Sequence, residues 1–475
     1  MTASPVRAAS VFSALDEAPM TWRHYAYWLA ASGGAFLDGF SVSALGVALP
    51  LLKRDFAIRP LFVGLIGSAL VLGAVLGSAI GGIGADKFGR KRTFIADMAI
   101  IALACFIGAL APNARLILLS QFLLGVGVGI DFPTSGSYVS ELMPRKARNR
   151  MTVATIALQS VGMAAAALAG LAILTLRPST ADWRLLFGAS GAIALLFLCA
   201  RIWAPESVRW LATKGRIGDA TALLKTLSIE FGEKPAKIGA EAIALTSWRP
   251  DVKARAQDVG YSALFAAAYR ARTMLVSLPW MLMDVATYGV GLFTPVILGA
   301  MHFGGAGAGP IAADCVGAEG SAIVDAFLVI GFAASLWAVP RYGRITMQVA
   351  GFSGMALGML LLLFAAMTDN GAKEHLAFVI GGFVLFNFAM NAGPNATTFT
   401  LAPTLFPTAI RASASGFAAA CAKIGATFGT FVVPQLQDAW GLVGVVAAMV
   451  AVSVAGLMAT AGLAHAVNEE GALEE

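Results

Sequence analysis

Asp38, Asp131, Asp284 and Lys423 each lie well inside a long run of apolar residues. A charged side chain at the centre of a bilayer costs about 2.5–3.5 kcal/mol on insertion scales. Such residues call for a function, with a purely structural ion pair as the alternative. Uncharged hydrogen-bonding groups accompany them: Gln159, Trp280, Tyr288, Asn387, Asn391 and Asn395. Trp280, Asp284 and Tyr288 follow one another at i, i+4 and i+8, which places an indole N–H, a carboxyl and a phenol on one helical face. That face presents donors, and donors suit an oxyanion; helix packing is the alternative for the stripe. An ionised Asp284 would repel a bound anion, whereas a protonated one donates to it, so an anion binds well there only with its proton.

Other polar residues ask for less. Asp97, Asp325 and Arg201 fall near the ends of apolar runs and are expected to reach the interface or cap a helix. Met281, Met283, Phe327, Phe332 and Phe364 read as packing or lipid-facing groups. Cys105, Cys199, Cys315 and Cys421 are too scattered for a disulfide framework or a metal site. No nucleophile, base or ligand cluster has the spacing of an active site. Neither an enzyme, a metal nor a cofactor is therefore expected.

The elements that must hold these groups are membrane helices. Of 475 residues, 58% are hydrophobic and 13% charged, against about 25% charged in a soluble domain. A spanning helix needs roughly 20 mostly apolar residues. Such stretches fall near 26–50, 61–84, 93–111, 115–139, 151–176, 184–203, 273–299, 321–339, 346–367, 375–402, 412–434 and 440–466. The first is too long for a signal-peptide core and is expected to remain as an anchor. The fold class is thus all-α integral membrane, with twelve spans.

The net charge of +6 is not a nucleic-acid signal once the basic residues are sorted by loop. With both termini in the cytoplasm, roughly 25 Lys and Arg fall inside and roughly 7 outside. Arg145, Lys146, Arg148 and Arg150 crowd one inner loop, and Lys87, Arg90, Lys91 and Arg92 another, while the loop near 301–320 has none. The expected location is a cell (inner) membrane with both termini cytoplasmic. The longest polar stretch, 204–272, separates six spans (1–203) from six (273–475) and reads as amphipathic helices under the cytoplasmic face.

The halves repeat one another. DKFGRKR at 86–92 recurs as PRYGRIT at 340–346, and ELMPRKARN at 141–149 as TLFPTAIRA at 404–412. Two parallel six-span repeats around a midplane site are a transporter architecture. Asp86, Arg90, Glu141 and Arg148 are expected to form a charge cluster that latches the inner helix ends; simple hydration is the alternative.

GGIGADKFGRKR resembles the loop signature of the major facilitator superfamily, and PESVRWLATKGR from Pro205 resembles the segment after span six of sugar porters and their relatives. WMLMDVATYGVGLFTPVIL, GVGVGIDFPTSGSYVSE, NAGPNATTF and AAACAKIGATFG together resemble the phosphate:proton symporter family. That resemblance implies two pseudo-symmetric six-helix bundles and phosphate held by Gln159, Trp280, Asp284, Tyr288 and Asn395. It also implies a lysine at 423 facing the site and carboxylates at 38 and 131 on the proton route. The chain departs from the family in Phe132, where members present a tyrosine, in Gln121, where an arginine is usual, and in Ser41, where a second carboxylate is usual. The glutamine-rich span seven of the sugar porters is absent. The expected function is import of a small anion, phosphate first, by proton symport and alternating access, with the lipid bilayer as surroundings and the chain acting as a monomer. An organic carboxylate is the alternative substrate, and a sugar porter or a solute-sensing transceptor ranks below it.

Overall fold

In hydrocarbon no water is present to satisfy backbone N–H and C=O groups, so apolar runs of this length must close their hydrogen bonds internally as helices. The computed structural model describes residues 12–58, 60–176, 179, 181–232, 245, 261–291, 327–367 and 376–464. Asp325, Cys315 and the loop near 301–320 lie outside them. The first six spans are Trp22–Asp55, Pro60–Phe88, Arg90–Ala109, Ala114–Leu142, Arg145–Leu176 and Trp183–Trp203. Span seven is Arg270–Gly291, span eight the shorter apolar helix Phe327–Tyr342 and span nine Arg344–Ala366. Span ten is broken at Gly393 into Leu376–Ala392 and Pro394–Leu405. Spans eleven and twelve run through one helix, Arg411–Ala464, kinked at Gly441. Ten of these helices are long and apolar enough to cross a membrane, and the chain is a multi-pass membrane protein.

The segment after span six does not lie free under the bundle. Val208–Thr213 and Ile217–Glu230 bury Trp210, Leu211, Leu224 and Leu227 against Phe12 and Leu15 of the N-terminal segment and Tyr138 and Leu142 of span four. This cluster plugs the bundle end that carries the two basic loops. Asp16 ties it together, its two carboxylate oxygens accepting from Arg209 Nη2 at 2.7 and 2.8 Å and Oδ1 also from Arg148. Burial would raise the Asp16 carboxyl, but Arg209 and Arg148 outweigh it and hold it below the usual carboxylate range. The stabilisation is complete above the unfolded carboxyl pKa and is lost as pH falls through the lowered folded value.

At this same basic end spans two and eleven cross in direct backbone contact. A Cβ added at Gly82 would meet the Ala412 carbonyl oxygen at 2.3 Å, and one at Gly416 the Ser78 carbonyl oxygen at 2.5 Å. Only residues without a side chain allow the two helices to close here. Overpacking costs about 1–3 kcal/mol, which corresponds to a roughly 5–150-fold shift in a two-state equilibrium. Gly82→Val is therefore expected to favour the state open at the basic end. Maleimide labelling of a Ser78→Cys probe should accelerate by that factor, and unchanged labelling would refute the closure assigned to this crossing.

Candidate functional site

Span seven carries Trp280, Asp284 and Tyr288 on one face, and span seven packs most extensively against the helix Arg411–Ala464, which holds spans eleven and twelve. Gly425 and Gly429 on span eleven touch the carbonyls of Met281 and Val285, so the two helices approach closely enough for Lys423 to reach across. Its Nζ stands 3.5 Å from Asp284 Oδ2 and donates to Tyr288 Oη at 3.2 Å. Asp284 and Lys423 are both buried, and Asp284 Oδ2 has no hydrogen-bond partner apart from this ion pair. The pair is an ammonium and a carboxylate held together at membrane depth, loose enough at 3.5 Å to admit a competitor.

Spans one and five supply the opposite wall. Gln159 Nε2 donates to Asp38 Oδ2 at 2.5 Å, and the charges of Asp38 and Lys423 are close enough to interact. The Asp284–Tyr288–Lys423 group of the last six spans and the Asp38–Gln159 pair of the first six thus lie within electrostatic reach of each other. Phe132 fills the space between, edge-on to Trp280 (centroids 6.3 Å) and to Phe399 (6.1 Å). Trp280 and Phe399 complete the triangle at 6.3 Å. Lys423 Nζ lies 5.2 Å from the Phe132 ring centroid, within cation–π range.

The asparagines of span ten divide by role. Asn387 and Asn391 donate to carbonyls four residues back, Phe383 O at 3.0 Å and Asn387 O at 2.9 Å, which holds their amides within the helix. Asn395, one turn past the Gly393 break, donates to Asn391 Oδ1 at 2.8 Å and is only half-buried. Of the three it alone bonds a side chain rather than a carbonyl of its own helix.

Asp131 belongs to a different constellation. Its carboxylate accepts from Arg201 Nη2, and Arg201 Nη1 donates to Asp97 Oδ1 at 2.6 Å. Arg201 is fully buried and lies 4.2 Å from the Phe94 ring centroid. The expectation that Arg201 and Asp97 snorkel to the interface is therefore corrected. Both are fully buried, and each satisfies the other's charge inside the first six spans.

The latch residues also separate. Arg90 lies 3.2 Å from Asp86 and 2.8 Å from Glu141, and the three are buried. Arg148 is not with them: it pairs with Asp16 in the neighbouring plug, because its position one turn into span five points it at the N-terminal segment. Its place is taken by Arg411 of span eleven, 3.1 Å from Glu141. Asp86 in turn accepts from the backbone N–H groups of Ser413 (2.7 Å) and Ala412 (3.3 Å), a carboxylate at the positive end of span eleven. Arg90 also donates to Thr408 O at 3.1 Å. Every one of these contacts to residues 408–413 joins the first half to the second, so the basic end is closed.

The family described as "Sugar (and other) transporter" matches residues 28–465. Among curated proteins the chain is 30% identical over 390 residues to plastidic glucose transporter 4 of Arabidopsis thaliana, covering 80% of this chain and 66% of that protein. It is 29% identical over 472 residues to the repressible high-affinity phosphate permease of Neurospora crassa, covering 89% and 80%. Among solved structures, that of the proton:xylose symporter XylE bound to 6-bromo-6-deoxy-D-glucose superposes with a TM-score of 0.75 over 95% of this chain and 97% of that one, at 18% identity. This last likeness speaks for the fold.

Proposed function

Because this chain belongs to the sugar (and other) transporter family, whose members are transporters and not enzymes, we propose that it imports a small anion, inorganic phosphate in first place, by proton symport and alternating access. The observation that carries the reading is the Lys423–Asp284–Tyr288 group facing Asp38 and Gln159 at the junction of the halves. An anion entering there competes with Asp284 for Lys423. Two unit charges of like sign about 4 Å apart repel by roughly 4 kcal/mol at an effective dielectric near 20. Protonating Asp284 removes that repulsion, frees Lys423 for the anion and adds an O–H donor. Gln159, Trp280, Tyr288 and Asn395 supply further donors, and Asp38 and Asp131 hand protons on. The six-span halves, 1–203 and 273–475, rock about this site with 204–272 as the link. The Asp86–Arg90–Glu141–Arg411 cluster holds the basic, cytoplasmic end shut, in an inner membrane with both termini inside.

The test is uptake of labelled phosphate into proteoliposomes under an imposed inward proton gradient, competed with unlabelled sulfate, hexoses and small carboxylates. Accumulation that collapses with the gradient and yields to phosphate alone is the expected result. Accumulation of a hexose, or none of phosphate, sinks the substrate reading.

One observation favours a second substrate. The Phe132–Trp280–Phe399 triangle borders the lysine with apolar rings, a surface suited to the body of an organic carboxylate. Phe132→Tyr separates the two. A hydroxyl in this pocket contributes a hydrogen bond to a charged acceptor worth about 1.5–3 kcal/mol when aligned, roughly tenfold or more in affinity. Phosphate should bind more tightly by that factor, measured as competition at fixed pH. A carboxylate that packs on the ring should bind more weakly instead.

A further inference from the structure

A second buried charge cluster, separate from both the anion site and the closed basic end, is Asp97–Arg201–Asp131, where spans three, four and six converge on span one. All five N–H donors of Arg201 are occupied: Nε by Ala30 O (3.0 Å), Nη1 by Phe94 O (3.3 Å) and Asp97 Oδ1 (2.6 Å), and Nη2 by Ala31 O (3.0 Å) and the Asp131 carboxylate. The guanidinium is therefore fixed in place, and it is charged at every accessible pH. One positive charge faces two carboxyl groups, both buried, which share the Arg201 guanidinium and stand close enough for their charges to interact. Two adjacent carboxylates in low dielectric do not both stay ionised when a single cation compensates them. Asp97 Oδ2 is a buried oxygen with no hydrogen-bond partner among the described residues, so it is open to a proton.

From these contacts we propose that Asp97 and Asp131 together hold one transported proton, with Arg201 as its fixed counter-cation, and that Asp97 is a proton-coupling residue of this carrier. The inference rests on the proton-symport reading and deepens it. When the pair is protonated the triad is neutral; when the proton leaves it carries one negative charge. The groups that face it decide where the proton goes. Span one brings Asp38, whose charge interacts with that of Asp131, and also Gly34, where a Cβ would lie 2.0 Å from the Asp131 carboxyl carbon. The bare backbone at Gly34 is what lets Asp131 lie against span one on the way to Asp38. Span four adds the Ser135 hydroxyl, which donates to the Asp131 backbone carbonyl at 2.9 Å. Span five brings the uncharged Gln159, bonded to Asp38. Span eleven brings Lys423, which acts on Asp38. The acid of span two, Asp86, is taken up by Arg90 at the basic end. Asp97, Asp131, Asp38 and Asp284 thus form a row of four buried carboxyl groups against two buried cations, Arg201 and Lys423. With all of them ionised the interior would carry two excess negative charges, which an incoming anion would only increase.

A static ion triad that merely pins four helices is the competing account, and infrared spectroscopy distinguishes it. In the full-length protein in proteoliposomes, titration should reveal a protonated-carboxyl band that disappears in Asp97→Asn and in Asp131→Asn but persists in Asp284→Asn. Proton-driven accumulation should be lost in Asp97→Asn. A titrating band of wild-type amplitude in Asp97→Asn, with accumulation retained, overturns the proposal. Should Asp97→Asn fail to reach the membrane, Asp97→Glu takes its place: its band must move to the glutamate frequency, and an unmoved band overturns the proposal equally. Absence of phosphate transport by the unmodified protein refutes the substrate reading alone, since the band is read without any substrate.

Discussion

Asp284→Asn is expected to abolish concentrative uptake while leaving exchange of labelled for unlabelled solute measurable. The amide can still hydrogen-bond an anion, but it cannot carry a proton, so the gradient loses its grip on the solute. A second effect acts on the empty carrier. Lys423 is buried with Asp284 3.5 Å away, and removing one partner of a buried pair leaves an uncompensated charge costing about 3–5 kcal/mol. Return of the empty site should slow by roughly two to three orders of magnitude. Exchange escapes this cost because a bound anion compensates Lys423 throughout. The measurement compares counterflow with gradient-driven uptake in the same proteoliposomes. An Asp284→Asn protein that still concentrates solute against its gradient removes Asp284 from the coupling mechanism.

The architecture was legible because the bilayer allows few alternatives: apolar runs of the required length have to be helices, and their order follows. The site was legible where its geometry is local. Trp280, Asp284 and Tyr288 share a face by helical spacing alone, and Lys423 is conspicuous as a cation in an apolar run. Arg201 was not, because its acids lie 104 and 70 positions away in the chain. A basic residue just before Pro205 also reads as a helix end until the packing of spans one, three and four closes over it. The asparagines show the opposite limit. All three stand out as hydrogen-bonding groups at membrane depth, yet Asn387 and Asn391 bond their own helix, an outcome that depends on rotamer rather than on position. Arg411 was within reach, since TLFPTAIRA repeats the loop that holds Glu141 and contains an arginine. What the repeat could not convey is that the two copies meet, so that an arginine of the second half bonds a glutamate of the first.

That meeting yields the other large expected effect. Glu141 lies between Arg90 and Arg411, 2.8 and 3.1 Å from them, and also accepts from the Ser207 hydroxyl. In Glu141→Gln, Arg90 keeps Asp86 at 3.2 Å, but Arg411 keeps only neutral acceptors, the new amide oxygen and Phe406 O at 3.2 Å. The closed basic end then contains a buried, unpaired guanidinium, which opening to water would relieve. A cost of about 3–5 kcal/mol moves the balance toward the open state by roughly two to three orders of magnitude. Turnover should fall accordingly, because the carrier must close that end in every cycle, while the ranking of competing solutes stays as it was. The same argument predicts a rescue. Adding Arg411→Gln removes the stranded charge, and replacing both partners of a buried pair is far milder than removing one. The double variant should therefore close and turn over faster than Glu141→Gln alone, a coupling that a double-mutant cycle on transport rate and on Ser78→Cys labelling measures directly. Additive effects of the two substitutions, or a changed solute ranking at normal rate, would show that this pair does not hold the basic end shut.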